Sequence, residues 1–353
     1  MRATWVRPEG HRSWPPLPPA LARNLPWILL ILLSISFAEL LTGSTPVPAL
    51  VLDPLSGVFL VGLYGAGVLL VREAGVRWAK GWPSILLLGV AYGISEEGFG
   101  TKTFFGPKGV GYLATYGHAL GVNWVWATEL ALFHALFSIA LPIAVVGLVF
   151  PAQARSPWLT SRRSLGFVLG AFVATVAAMF VLFNPSEDPG LPLVATALAL
   201  IAALGLLARL APATLGDPRA AGPDRGVRGY RTVLMGATFV GGFFGLSWIG
   251  PRVIPYPALT AGALAAWTTG FGAALYADRA SWAAPGAQLG FISGTLSFPL
   301  TLALAWALLG DPAVLIVVGA VVLLLVDLHR ARERTGIRDG ARVPAPGGRG
   351  APR

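Results

Sequence analysis

LPWILLILLSISFAELL, residues 25–41, carries a single charged side chain, Glu39, and PAVLIVVGAVVLLLVDL, residues 312–328, repeats the pattern near the other end of the chain. Each run approaches the roughly 20 apolar residues that cross a bilayer core. Inside lipid the backbone must satisfy its own polar groups, so such runs are helices. A transmembrane barrel would instead alternate apolar and polar residues over short segments. The whole chain agrees with this local reading. Of its 353 residues 55% are hydrophobic and only 12% charged, with a mean hydropathy of +0.69. A soluble domain carries roughly 25% charged residues. The expected fold is all-α, a polytopic transmembrane bundle of about ten helices whose first partner is the lipid bilayer.

The expected spans are 26–43, 55–72, 82–98, 123–149, 164–184, 191–210, 230–250, 257–277, 286–308 and 312–328. Pro312 in the turn Gly310-Asp311-Pro312 separates the last two, because proline breaks a helix interior. The net charge of +10 is gathered in short loops and tails, which points to cytoplasmic loops and not to nucleic acid. The loops at 73–81, 150–163 and 211–229 are basic, with Lys80, Arg155 and Arg225 among them. The loops at 43–54 and 185–190 are neutral or acidic. The loops at 99–122, with Lys102 and Lys108, and at 251–256, with Arg252, break the alternation. Both termini are therefore expected in the cytoplasm, and the protein in the cell (inner) membrane. Residues 1–24 and 329–353 are expected as disordered basic tails around a helical domain, 25–328. No small-x-small cleavage site follows the first span, so it reads as an anchor and not as a signal peptide. There are no cysteines, which excludes thiol catalysis and disulfides.

Ionisable groups inside a span are costly and mark function by default. They crowd into the first half, 25–150; the half at 164–328 has none as deep. Glu96 and Glu97 lie roughly 21 Å along the third span. Glu97 continues the Gly89/Gly93 face by steps of four, with Glu96 about 100° round the helix. In the fourth span Asn123, Ala127, His134 and Ser138 share a face, and Glu129 points elsewhere. Glu39 has a similar depth in the first span. A carboxylate paired with a histidine activates water as a general base; the same groups bind cations or relay protons. A metal site would require Glu96, Glu97, Glu129 and His134 to meet. Glu129 faces away, so no metal and no cofactor is expected. The loop 99–122, rich in glycine and aromatics, is a candidate lid over the glutamates, with Lys102 their counter-ion. Arg72 and Glu73 form a candidate local ion pair.

Two segments, YGISEEGFGTKTFFGP (92–107) and GVNWVWATELALFHALFSIALPI (121–143), resemble uncharacterised prokaryotic multi-pass membrane proteins. More distantly, Glu96-Glu97 followed by His134 resembles the CAAX-protease and bacteriocin-processing family of glutamic intramembrane peptidases, whose pattern is EExxxR, FxxxH and HxxxN. Thr101 stands at the arginine position, with Lys102 one residue late. Leu130 stands four before His134, with Phe133 adjacent. No HxxxN follows; the later histidine is His329. The resemblance implies that Glu96 or Glu97 activates water and that His134 stabilises the oxyanion.

Three readings follow. The first is a membrane-embedded hydrolase centred on Glu96, Glu97 and His134, acting on a small molecule, lipid or peptide. The second is a small-solute or ion transporter built from two five-helix repeats, against which stand the unlike halves and a lack of conspicuously broken helices. The third is a non-catalytic component of a membrane complex. Oligomeric state is open in all three.

Overall fold

The computed structural model describes residues 19–106, 115–185, 187–213, 229–282 and 284–340. Ten long helices account for almost all of them. They are α1 (Pro19–Ile35, carried on through Ser36–Leu40), α2 (Pro54–Arg77), α3 (82–100), α4 (Trp124–Val149), α5 (Arg162–Leu182), α6 (Gly190–Leu210), α7 (Gly229–Val253), α8 (Pro257–Ala277), α9 (Pro285–Leu309) and α10 (Val314–Gly340). Nine are long and apolar enough to cross a membrane; α3, with its two glutamates, is the tenth. The expected spans are all present. Gly310, at φ 133°, turns the chain between α9 and α10, where Pro312 was expected to break it. The expected C-terminal tail starts as helix and stays helical to Gly340. Residues 1–18 and 341–353 of the expected tails lie outside the described residues.

The loops divide between two ends of the bundle as the charge pattern requires. At the basic end, Arg72 donates to the carbonyls of Gln153 and Ala154, both at 3.0 Å. There too Arg77 donates to the carbonyl of Leu159, and Lys80 to that of Ala211. The Arg72–Glu73 pair forms at 2.6 Å, fully buried, under the Trp158 ring. At the opposite end Val47 N–H donates to Asp311, Asn184 donates to the Thr101 carbonyl, and Tyr116 to the Ile254 carbonyl. Lys102, an exception to the alternation, is buried inside the protein and is not a loop charge.

Small residues decide which helices touch. A methyl at Gly89 would stand 2.8 Å from the Cα of Ala135, and one at Gly93 3.0 Å from that of Ala131, so α3 lies directly on α4. Close backbone approach of this kind is how helices associate in lipid, which offers no hydrophobic drive between them. Helices α7 and α9 make the other tight seam. There Gly294 faces the Val233 carbonyl, Gly290 the Thr232 hydroxyl and Gly236 the Phe291 carbonyl. A methyl at Gly241, Gly245 or Gly286 would meet no atom within 4 Å among the described residues. The seam uses the face of α7 that carries Gly236 and the face of α9 that carries Gly290 and Gly294.

The helices are also less regular than the sequence suggests. Five wide π turns interrupt them, at Ser36–Leu40, Val61–Gly65, Ile94–Gly100, His134–Ala140 and Gly245–Ile249. The sequence reading expects no broken helices. A π turn needs no proline, and none of these segments contains one, so nothing in them signals the irregularity.

Gly236→Ala or Gly294→Ala forces the α7–α9 seam apart and lowers unfolding stability by about 1–3 kcal/mol. Gly241→Ala, in open space, causes no loss. Thermal unfolding of the three variants in detergent checks this.

Candidate functional site

Four of the five π turns carry the polar side chains expected in the membrane-embedded half, or a partner of one. Glu39 lies in Ser36–Leu40, Tyr64 in Val61–Gly65, Glu96 and Glu97 in Ile94–Gly100, and His134 opens His134–Ala140. π turns recur at functional sites. Here one has a direct geometric effect. In a regular α-helix Glu96 and Glu97 would diverge by about 100°. The wider i→i+5 turn reduces the angular step, and both carboxylates reach the same histidine.

The His134 ring lies between them. Nε2 is 3.0 Å from Glu97 Oε1, and Nδ1 is 3.1 Å from Glu96 Oε2. Nδ1 also makes a 2.8 Å hydrogen bond with Ser138 Oγ, one turn along α4. All three residues are buried, with exposures of 2% for Glu96, 8% for Glu97 and 3% for His134. The Gly89/Gly93 face predicted that Glu97 would meet a packed neighbour, and that neighbour is α4.

Each carboxylate is held by hydroxyls on its other oxygen. Thr101 donates to Glu97 Oε2 at 2.8 Å, and Thr103 donates to the same oxygen. Tyr64, at 1% exposure, makes hydrogen bonds with Glu96 Oε1 and with Glu39 Oε1. Thr45 donates to Glu39 Oε2 at 2.6 Å. The result is a continuous polar chain from Thr45 through Glu39, Tyr64, Glu96, His134 and Glu97 to Thr101 and Thr103. A phenol has one proton to donate. Tyr64 therefore donates to one carboxylate and accepts from the other, which must carry a proton.

Two buried polar atoms at this centre make no hydrogen bond among the described residues. They are Glu96 Oε2, which lies out of line with the His134 N–H, and the hydroxyl of Tyr92, which stands beside Glu96. The Tyr92 ring packs against His134 with centroids 6.1 Å apart and against Tyr64 at 6.2 Å.

Other expected site residues are placed elsewhere. Lys102 is not the counter-ion. Its φ is 57°, and its Nζ sits 4.9 Å from the Phe180 ring centroid, while two threonines take the place beside Glu97. Asn123 caps α4, its side-chain oxygen accepting from Trp126 N–H at 3.1 Å. Glu129 is buried against α7, accepting from Trp248 Nε1 at 3.2 Å. Glu39 joins the centre only through Tyr64. Of the loop expected as a lid, residues 101–106 fold back over Glu97, with Phe104 buried and its carbonyl accepting from Asn123 N–H at 2.9 Å. Residues 107–114, with Lys108 and Tyr112, lie outside the described residues. His118 is exposed.

Tyr64, Tyr92, Thr103 and Ser138 were not expected in the site. Ser138 alone had a signal, its i+4 spacing from His134. The tyrosines read as ordinary aromatic residues of apolar spans.

Tyr64→Phe leaves a buried carboxylate without its donor and costs about 1–3 kcal/mol of unfolding stability. Tyr256→Phe, at 65% exposure, leaves stability unchanged. Chemical or thermal unfolding in detergent compares the two.

The comparisons with known proteins agree with the fold and add no chemistry. No curated protein and no solved structure matches the chain. Nothing in them supports the likeness to the glutamic intramembrane peptidases. One family model spans nearly all the bundle, residues 28–328, and the chain belongs to that family, described as an uncharacterized membrane protein family.

Proposed function

We propose that this multi-pass membrane protein is a membrane-embedded hydrolase whose centre is Glu96, Glu97 and His134. The observation that carries the reading is the contact of both carboxylates with the two ring nitrogens of His134, at 3.0 and 3.1 Å, inside a buried part of the bundle. A carboxylate–imidazole pair moves protons to and from a reacting water, an effect worth roughly 10²–10⁴-fold in rate. The hydroxyls of Thr101, Thr103 and Tyr64 fix the carboxylates before any substrate arrives, which is the preorganisation that electrostatic catalysis needs. Water activated here attacks a carbonyl or phosphoryl centre, and His134 stabilises the charge that develops on oxygen.

The positive-inside pattern supports a location for this centre in the outer half of an inner cell membrane, with both termini in the cytoplasm. A substrate with an apolar body, a lipid or a membrane-inserted peptide, reaches such a site from within the bilayer.

The test is a panel of fluorogenic phospholipids, acyl esters and quenched peptides presented to the protein in liposomes. The wild-type chain is expected to hydrolyse at least one class, and Glu97→Gln and His134→Gln are each expected to reduce the rate at least 100-fold. Wild-type turnover no different from the double variant across the panel contradicts the reading. Transport by the same bundle would leave the variants indistinguishable from wild type in this assay.

A further inference from the structure

The two central carboxylates share one arrangement. Each carboxylate has one oxygen held by a hydroxyl and the other against the His134 ring. Glu97 Oε2 is held by Thr101 and Thr103, Glu96 Oε1 by Tyr64, and His134 Nδ1 by Ser138. That leaves Glu97 Oε1 against Nε2 and Glu96 Oε2 against Nδ1 of one imidazole. One ligating atom from each residue lies within 4.8 Å of the others. Hydrogen-bond partners on the far atom of each ligand are what metal sites use to orient their ligands. In particular, a histidine that coordinates through Nε2 holds its tautomer by donating Nδ1–H, here to Ser138.

Charge points the same way. The centre brings two carboxylates onto one imidazole, and Lys102 lies on Phe180 instead of beside them. Unpaired charge in a low-dielectric interior is strongly unfavourable. A divalent cation on two carboxylates and a neutral imidazole closes the balance at zero.

Distance and an independent side chain complete the case. Ligand atoms about 2.1 Å from a tetrahedral Zn²⁺ stand roughly 3.4 Å apart. The 3.0 Å between Glu97 Oε1 and His134 Nε2 needs only a small opening to reach that. The Tyr92 hydroxyl, on a side chain only 3% exposed, lies beside Glu96 and makes no well-aligned hydrogen bond among the described residues. It is placed to meet a water or substrate oxygen in a fourth position.

We propose that Glu96, Glu97 and His134 bind one Zn²⁺-like divalent cation with a fourth position open beside Tyr92. This deepens the hydrolase reading, since an ion there takes over the activation of the water, yet its test needs no substrate. Full-length protein in detergent is stripped with chelator, dialysed and titrated with ZnCl₂, followed by calorimetry and by elemental analysis after desalting. One Zn²⁺ per chain is expected. His134→Gln and Glu96→Gln, close in size to the originals, should each weaken binding at least tenfold, whereas Glu129→Gln should bind like wild type. Tyr92→Phe should keep the stoichiometry, because Tyr92 is not a ligand. No bound Zn²⁺ in folded wild type, or equal affinity in folded His134→Gln, overturns the proposal. Hydrolysis that survives complete chelation would overturn it too while leaving the hydrolase reading intact.

Discussion

A carboxylate buried in an apolar bundle needs partners for both of its oxygens, and Glu97 finds them in His134 on one side and two threonines on the other. That single requirement organises the end of the bundle away from the basic loops. It needs α3 close to α4, which Gly89 and Gly93 permit. It needs the segment after α3 to fold back so that Thr101 and Thr103 reach the carboxylate. Glu96, adjacent in sequence, must then be satisfied within the same space, and the π turn at Ile94–Gly100 brings it to the same ring. Tyr64 carries the polar chain on to Glu39 in α1.

The two ends of the molecule solve the problem of buried charge differently. At the basic end, Glu73 accepts from Arg72, from Arg77 and from the Trp158 N–H, so acid and base cancel within one local cluster that ties α2 to the loop after α4. Such a cluster holds structure together and has no atom to offer a ligand. At the other end Glu96 and Glu97 share one histidine, Glu39 joins them through Tyr64, and one carboxylate oxygen and one phenol make no hydrogen bond among the described residues. The asymmetry separates a locally neutralised ion pair from the centre on which the proposed function rests.

The helix count and the alternation of loops were legible because both depend on composition over long stretches, which lipid constrains strictly. That Glu97 faces a packed neighbour was legible from the glycine face; that the neighbour is α4 came from the structure. The convergence of Glu96 was not, because a regular helix turns it away and the π turn has no mark in the sequence. Lys102 was misread because proximity in sequence suggested a counter-ion, while a left-handed backbone at that residue directs its amine to Phe180. Tyr64 and Tyr92 were hidden because a tyrosine in an apolar span looks like any other aromatic until its hydroxyl is seen to face inward. The glycines of α7 show the same limit. Gly236 packs on α9 while Gly241 and Gly245 face open space, because which face is covered depends on where α9 lies.

The central claim is that Glu97 and His134 interact directly in the folded protein. A double-mutant cycle with Glu97→Gln and His134→Gln, read by reversible unfolding in detergent, measures that contact. A coupling energy of at least about 1 kcal/mol is predicted, within the range for residues in one hydrogen-bonded network. Additive effects, with coupling near zero, would contradict the account.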